Sequence, residues 1–188
     1  MIAADLKTVS LPCHMPDEAD FARYGRIVQY SQERPANLKS GSVESWLLPF
    51  ESASPAHIMF NRYHNNDRRF SVMEKHLDVT QCFFPLGNTP FIMVVGMESQ
   101  DNQPFSVNDV KAFYIRGDQG VLLWRNVWHS LARFAVGSDY IDLAFITDRG
   151  TQDEIENSLA GGKAPARTLF TDFKDTDKVQ FLVQDPLR

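Results

Sequence analysis

The chain contains little cysteine and no long apolar or basic run. Of its 188 residues only Cys13 and Cys82 are cysteine, and they have no CxxC spacing. This pattern predicts two unpaired thiols in a reducing compartment rather than a disulfide framework. No apolar stretch is long enough to span a bilayer, and the N-terminus has no apolar core behind a basic start. We therefore expect a cytoplasmic protein with no membrane partner.

The sequence also lacks the motifs of several large functional classes. The net charge of -5 and the absence of a Lys/Arg cluster argue against a nucleic-acid partner. There is no GxSxG motif, no Ser-His-Asp motif, no phosphate-binding glycine loop and no zinc-finger spacing. The chain instead has 43% hydrophobic residues, including 14 Phe and 3 Trp, which is enough to bury a sizeable core.

Short apolar segments separated by turn residues dominate the middle of the chain. Such regular spacing predicts an antiparallel β-sandwich or barrel, and the lack of long helical patterns between the segments disfavours a parallel α/β fold. The candidate strands are Arg26–Tyr30, Val43–Leu48, His57–Tyr63, Phe70–His76, Val79–Phe84, Phe91–Val95, Ala112–Arg116, Val121–Trp124, Ser130–Val136 and Tyr140–Thr147.

Two short helices are expected at the borders of this β region. Pro16 to Tyr24 carries acidic residues in its first turns, as helix N-termini often do. Thr151 and Glu154 form a capping-box pattern that would open a second helix. We therefore predict a barrel domain over residues 1–150, and over residues 151–188 a helix and a tail that packs on the barrel or on a second subunit.

Residues 117–129 combine a turn, an apolar strand and several chemically useful side chains. Gly117 and Gly120 would supply the positive backbone torsions that a tight turn needs. Arg125, Trp128 and His129 follow the strand. Arginine binds carboxylates in bidentate geometry, and histidine transfers protons or binds metals near neutral pH. The segment suits a small anionic substrate.

A second group of candidate residues lies on the strand that ends at His76. Alternation places Glu74 and His76 on one face, and Gln81 follows near the start of the next strand. If the sheet closes into a barrel, these residues and His129 could converge as oxygen and nitrogen ligands of a divalent transition metal. The alternative, more common for such a pair, is that Glu74 and His76 face solvent.

Arg62 shares a strand face with Ile58 and Phe60. An arginine on an otherwise apolar face needs a negatively charged partner. That partner is either an anionic ligand or one of the 24 acidic residues of the chain. The sequence leaves both readings open.

At these residues the chain resembles the ureidoglycolate lyase family, whose members have a cupin-type β-barrel. The resemblance covers roughly residues 20 to 150, and its most specific part is Arg-Asn-Val-Trp-His at residues 125–129. The matching segments are Phe21 to Gly25, Asn61-Arg62, Glu74 to His76, Thr80 to Pro85, Ala112-Phe113, Gly117, Gln119 to Val121, Arg125 to His129 and Asp148-Arg149.

The resemblance implies a homodimeric enzyme that cleaves ureidoglycolate to glyoxylate and urea during allantoin breakdown, with a possible divalent metal, nickel in this family. The cupin metal-ligand positions correspond to Glu74, His76, Gln81 and His129. We expect His129, His76 and Glu74 to be catalytic, with His129 or His76 as the base. The expected substrate-binding residues are Arg62, Arg125, Asn61, Gln81 and Trp128.

The chain departs from the family pattern near the expected rim of the pocket. Ser130-Leu131 replaces a usual His-Pro, and the helix at Thr151 replaces a usual Gly-Gly segment. These changes keep two alternatives open. One is a cupin enzyme acting on another small hydroxy- or oxo-acid, and the other is a non-catalytic protein that binds a small carboxylate.

Overall fold

The fold consists of short strands in opposed sheets, as the computed structural model shows for residues 6–31, 34–98 and 104–187. Residues 1–5 and Arg188, the ends of the predicted domain and tail, lie outside the described residues. The strands are β1 (Lys7–Leu11), β2 (Cys13–His14), β3 (Gly25–Val28), β4 (Leu38–Ser40), β5 (Val43–Ser45), β6 (Ala56–His64), β7 (Arg69–Phe70), β8 (Val72–His76), β9 (Gln81–Leu86), β10 (Phe91–Gly96), β11 (Val110–Ile115), β12 (Gly120–Leu123), β13 (Trp128–Ser130), β14 (Phe134–Ala135), β15 (Tyr140–Asp148), β16 (Thr168–Asp172) and β17 (Val179–Val183). The helices are α1 (Glu18–Phe21), α2 (Arg149–Leu159) and α3 (Phe173–Thr176), with a 3₁₀ turn at Val107–Asp109.

Two sheets form the body of the barrel. The five-stranded sheet has the order β3-β12-β9-β15-β6, and the seven-stranded sheet has the order β16-β8-β13-β10-β11-β2, with β14 also paired to β10. Almost all pairs in these sheets are antiparallel, the exception being β2 beside β11. This mainly β, jelly-roll architecture with a few short helices confirms the predicted fold class.

The seven-stranded sheet is covered on both faces. Its inner face packs against the five-stranded sheet, where Phe83 and Met93 belong to one apolar core. Its outer face packs against β1, β17 and α3, where Trp128 and Phe181 belong to a second core. Side chains alternate along a strand, so neighbours in this sheet face different cores. His129, next to Trp128, therefore faces the barrel interior.

The bounds of several predicted elements differ in the structure, and two of these differences lie close to the cavity described below. The predicted strand Ser130–Val136 is interrupted, because β13 ends at Ser130 and β14 begins at Phe134. The prediction that Thr151 caps the second helix is wrong. The helix begins at Arg149, and the Asp148 side chain accepts a hydrogen bond from the Thr151 amide at 2.7 Å. Asp148 ends β15 in an extended conformation, which allows it to serve as the cap.

Gly117 and Gly120 are required because a side chain has no room there, and not because of their backbone torsion angles. Positive φ angles occur at Asn88 and Asn126, whereas Gly117 and Gly120 have none, so that prediction is wrong. A Cβ atom on Gly117 would lie 2.0 Å from the carbonyl oxygen of Asn88. On Gly120 it would lie 2.6 Å from the ring of Phe84. The lack of room for a Cβ atom therefore explains both residues.

The C-terminal segment is part of two sheets. β16 pairs antiparallel with all of β8, from Thr168 opposite His76 to Asp172 opposite Val72. β17 pairs in parallel with β1 and antiparallel with β7. Cys13 and Cys82 carry free thiols, as predicted. Within the described residues, no helix has the length and apolar character needed to cross a membrane.

Candidate active site

A cavity of about 300 Å³ opens between the two main sheets, at the end covered by α2. Such a volume suits a small-molecule ligand. The described residues that line it are Met59, Asn61, Tyr63, Glu74, His76, Gln81, Phe83, His129, Leu131, Arg133, Phe145, Thr147, Thr151, Gln152 and Ile155.

Glu74 and two histidines form the polar centre of this cavity. Glu74 and His76 lie on β8, and β13 places His129 directly opposite Glu74. One oxygen of Glu74, Oε1, lies 3.4 Å from His129 Nε2 and 3.7 Å from His76 Nε2. The two imidazole centroids are 5.2 Å apart. The sequence prediction that these three residues meet inside a barrel is therefore matched by their positions.

Hydrogen bonds on the far side of each ring fix how the histidines present their Nε2 atoms. His129 Nδ1 lies 3.1 Å from the carbonyl oxygen of Val127, which can only accept, so Nδ1 carries the proton. In the neutral ring, Nε2 then presents a lone pair to the cavity. His76 Nδ1 lies 2.9 Å from Thr168 Oγ1, a hydroxyl contributed by β16. The C-terminal strand thus helps to orient a residue of the site.

Burial and mutual contact set the protonation states of this cluster. Burial lowers the pKa of His129, although the nearby Glu74 carboxylate opposes this effect. Burial raises the pKa of Glu74, but the nearby His129 and His76 rings, which are positively charged when protonated, outweigh this effect and hold that pKa well below its usual range. Near neutral pH, an ionised carboxylate therefore faces the neutral imidazole of His129.

The Glu74, His76 and His129 side chains could hold a metal ion. Their ligand atoms all lie within 4.8 Å of one another. Because His129 Nε2 and Glu74 Oε1 are both electron-rich and face each other, a cation between them would relieve their repulsion. The contacts of His76 and His129 through Nδ1 are those expected of metal-ligating histidines. Imidazole and carboxylate donors suit a divalent transition metal.

Gln81 and other cavity residues carry buried polar atoms without a hydrogen-bond partner. Among the described residues, only Asn65 contributes such an atom outside the cavity. The cavity atoms are His76 Nε2, His129 Nε2, Gln81 Oε1, Arg133 Nε, Thr147 Oγ1 and Thr151 Oγ1. Buried polar groups are normally paired, so their concentration at one place indicates a site built for a polar ligand.

The other predicted substrate-binding residues divide into two groups. Asn61 and Gln81 line the cavity, as expected. Trp128 does not, because its side chain lies on the opposite face of the seven-stranded sheet. There its ring stacks on Phe105 at 4.9 Å, and its indole nitrogen donates to Glu98 at 3.1 Å. The expectation for Trp128 is therefore corrected.

The arginines predicted to bind the substrate carboxylate also lie elsewhere. Arg62 is on the outer face of β6, where Nε donates to Asp142 at 2.7 Å. Its partner is thus an acidic residue of the chain, the second of the two readings left open. Arg125 lies 2.6 Å from Glu51 in a separate surface depression. The structure brings neither arginine to Glu74 and the histidines.

Arg133 is a charged cavity residue that the sequence reasoning missed. Its side chain is 3% exposed and lines the same cavity as Glu74 and His129. The signal was present in the sequence, because Arg133 is the one charged residue within the otherwise apolar segment 131–136. A single charge inside such a segment needs a buried partner.

Comparisons with known proteins identify relatives of this chain. The sequence pattern of the ureidoglycolate lyase family matches residues 10–163. A ureidoglycolate lyase of Rhizobium etli is 31% identical over 147 residues, which are 74% of this chain and 82% of the relative. One from Escherichia coli is 26% identical over 151 residues, covering 72% and 85% of the two chains.

A weaker likeness links the chain to a solved structure. RmlC from Streptococcus suis, in complex with dTDP-D-xylose, aligns over 50% of this chain and 43% of that chain, with a TM-score of 0.30 and 10% identity. The sequence matches are far more extensive, and they cover the strands that carry Glu74, His76 and His129. The chain belongs to the ureidoglycolate lyase family.

Proposed function

We propose that this protein is a lyase that cleaves ureidoglycolate into glyoxylate and urea, in the breakdown of allantoin. Family membership supports the proposal. The observation that carries it is the cluster of Glu74, His76 and His129 inside a cavity of suitable size. This cluster combines an ionised carboxylate with a neutral imidazole, the pair of groups that a proton-transfer reaction requires.

The reaction breaks the bond between the central carbon of ureidoglycolate and its ureido nitrogen. The substrate hydroxyl loses its proton, a carbonyl forms, and the electron pair of the broken bond moves to the nitrogen of urea, which takes up a proton. His129 Nε2 can accept the hydroxyl proton and return it to the leaving nitrogen. The Glu74 carboxylate, 3.4 Å away, would stabilise the imidazolium formed in between.

Glu74, His76 and His129, with Gln81 in the same cavity, would hold a divalent metal. Nickel is the ion that the family resemblance implies. When bound, such an ion would polarise the substrate hydroxyl and make its proton easier to remove. The lone pair of His129 Nε2 cannot bind an ion and a proton at once, so the two roles exclude each other. Metal content per protomer, measured on active enzyme, separates them.

We also propose a cytoplasmic homodimer. The outer face of β6 exposes Ile58 and Phe60, whose side chains are 73% and 61% accessible to solvent. Adjacent apolar side chains this exposed often mark a contact surface. A second copy of the chain is the partner that the family resemblance implies. Light scattering on the purified protein measures its mass in solution.

The direct test is to incubate the purified full-length protein with ureidoglycolate and to quantify both urea and glyoxylate. Equal amounts of the two products, lost in His129→Ala, are expected. Product formation that His129→Ala leaves unchanged would remove His129 from the mechanism. Binding of ureidoglycolate without any product would identify a carboxylate-binding protein instead of an enzyme.

A related acid is the second candidate substrate. The helix α2 contributes Thr151, Gln152 and Ile155 to the cavity wall, at the point where the sequence departs from the family pattern. These side chains contact whatever the cavity holds, so they can shift its preference towards another small hydroxy- or oxo-acid. A panel of such acids, assayed beside ureidoglycolate, ranks them by kcat/KM.

A further inference from the structure

Arg133 lies in the wall of the cavity with no acidic partner. Its side chain is 3% exposed, and no carboxylate of the described residues lies within ion-pair distance of it. Nη1 donates to the carbonyl oxygens of Ser130 and Ala132, and Nε has no partner. A buried cation in this state is costly unless an anion comes to it.

The backbone break between β13 and β14 holds this guanidinium in place. Residues 131–133 leave the strand path, and the carbonyls of Ser130 and Ala132 both accept from Nη1 of Arg133. Its central carbon lies 4.6 Å from the ring centroid of Phe83. Arginine stacks well on an aromatic face, and such packing restricts the group before any ligand arrives.

Every other arginine considered for the substrate already has an acidic partner. Arg62 is bound to Asp142 and Arg125 to Glu51. Among the described residues that line the cavity, Arg133 is the one permanent cation. Glu74, the one acid there, is in contact with the two histidines. The described lining of the cavity thus contains one cation and one acid that form no ion pair with each other.

We propose that Arg133 binds the carboxylate of the substrate, and that the cavity selects short monocarboxylates with a hydroxyl or oxo group on the neighbouring carbon. This inference rests on the proposed function for the identity of the acid. A carboxylate on Arg133 would satisfy the unpaired Nε and neutralise the buried charge. It would also direct the neighbouring carbon, with its hydroxyl, into the cavity that Glu74 and His129 share.

The test compares Arg133→Gln and Arg133→Lys with the wild type in the purified full-length protein. Arg116→Gln is the matched control, because Arg116 is exposed and paired with Asp118. We expect Arg133→Gln to raise KM for ureidoglycolate about 10- to 100-fold, the usual effect of losing a hydrogen bond to a charged group. Arg133→Lys should recover part of this loss, and Arg116→Gln should change KM less than about twofold.

A second measurement uses ligand binding and does not depend on turnover. Calorimetry compares the binding of glyoxylate with that of its uncharged amide. The wild type should bind the acid at least about 10-fold more tightly, and Arg133→Gln should lose that preference. Equal binding of acid and amide by the wild type, or an unchanged preference in folded Arg133→Gln, would overturn the role of Arg133.

The experiments distinguish failure of the proposed reaction from failure of the proposed carboxylate site. If the wild type leaves ureidoglycolate intact but still binds glyoxylate through Arg133, the proposed reaction is wrong and the carboxylate site stands. If the wild type cleaves ureidoglycolate and Arg133→Gln cleaves it with unchanged KM, the reaction stands and the carboxylate site is wrong.

Discussion

His76 and His129 approach the same oxygen atom of Glu74 from two different strands, with Nε2 distances of 3.7 and 3.4 Å. Each ring is held from behind through Nδ1, by Thr168 and by the Val127 carbonyl. A carboxylate shared by two imidazoles in this way is suited to hold either a proton or a metal ion between them.

Replacing His129 should remove proton transfer. In His129→Gln the ring nitrogen that faces Glu74 is lost, and we expect kcat for urea release to fall at least about 100-fold, the lower end of the usual contribution of a general base. His14→Gln, which changes an exposed histidine on β2, is the control. A His129→Gln enzyme with wild-type kcat would contradict the mechanism.

Removing the hydroxyl behind His76 should weaken metal binding. In Thr168→Val the contact to His76 Nδ1 is lost while the side-chain shape is kept, and the affinity for a divalent ion should fall about 10-fold or more. Titration with nickel and an ion-sensitive dye measures this affinity. Thr171→Val, a change on the same strand, should leave it unaltered. Equal affinities of both variants would show that Thr168 does not support the site.

Protonation of His129 should make stability depend on pH. Folding lowers the pKa of His129. As the pH falls below about 6.5, the pKa of histidine in the unfolded chain, His129 is therefore protonated in the unfolded state before it is protonated in the folded state. The contribution of the neutral His129 ring to the free energy of unfolding is fully present above that pH. It should decrease below it by at most about 1.4 kcal/mol per pH unit.

Urea unfolding of the metal-free protein between pH 5 and 8 measures this slope, which His129→Gln should flatten. Glu74 does not change the dependence of the free energy of unfolding on pH in this range. Its lowered pKa gives a contribution that is present above the unfolded value, near 4.5, and that is lost only at more acidic pH. A slope that is identical in wild type and His129→Gln would show that another group titrates.

Gly117 should not tolerate a side chain. A Cβ atom would lie 2.0 Å from the backbone oxygen of Asn88, and a backbone neighbour cannot move aside as a side chain can. We expect Gly117→Ala to lower the free energy of unfolding by about 1–3 kcal/mol. In Gly162→Ala the new atom meets only the flexible Asn157 side chain, so its unfolding curve should stay close to that of the wild type.

The exposed apolar residues of β6 should hold the proposed dimer together. Phe60→Ser removes an exposed ring from this face. We expect the variant dimer to dissociate at a higher protein concentration than the wild-type dimer. Phe170→Ser, at an exposed ring on β16, is the matched control. Light scattering over a dilution series distinguishes the two. Dissociation in the control alone would place the interface on the other sheet.

Alternation along a strand predicted part of the site correctly. Glu74 and His76 were expected on one face, and they share the cavity. The same rule placed Arg62 with Ile58 and Phe60, which is also true, but it could not tell which face is inside. Both faces of β6 carry apolar side chains, so the sequence pattern does not show which face points into the barrel. The pairing of β6 with β15 determines this.

The position of Arg133 could not be predicted from the alternation of side chains along a strand. The apolar segment 130–136 reads as one continuous strand, and alternation along it depends on an unbroken path. The structure interrupts the strand after Ser130, so the directions of the following side chains no longer follow from the sequence. Only the pairing of β10 with two separate short partners fixes them, and that pairing joins residues far apart along the chain.

The position of β16 beside β8 has a consequence for synthesis in the cell. Thr168, which supports His76, comes about ninety residues after that histidine along the polypeptide. A ribosome must therefore synthesise the chain to beyond residue 168 before the imidazole gains its hydroxyl neighbour. Prematurely terminated products that end before β16 should be unable to acquire the mature catalytic centre, even when the earlier strands have already assembled.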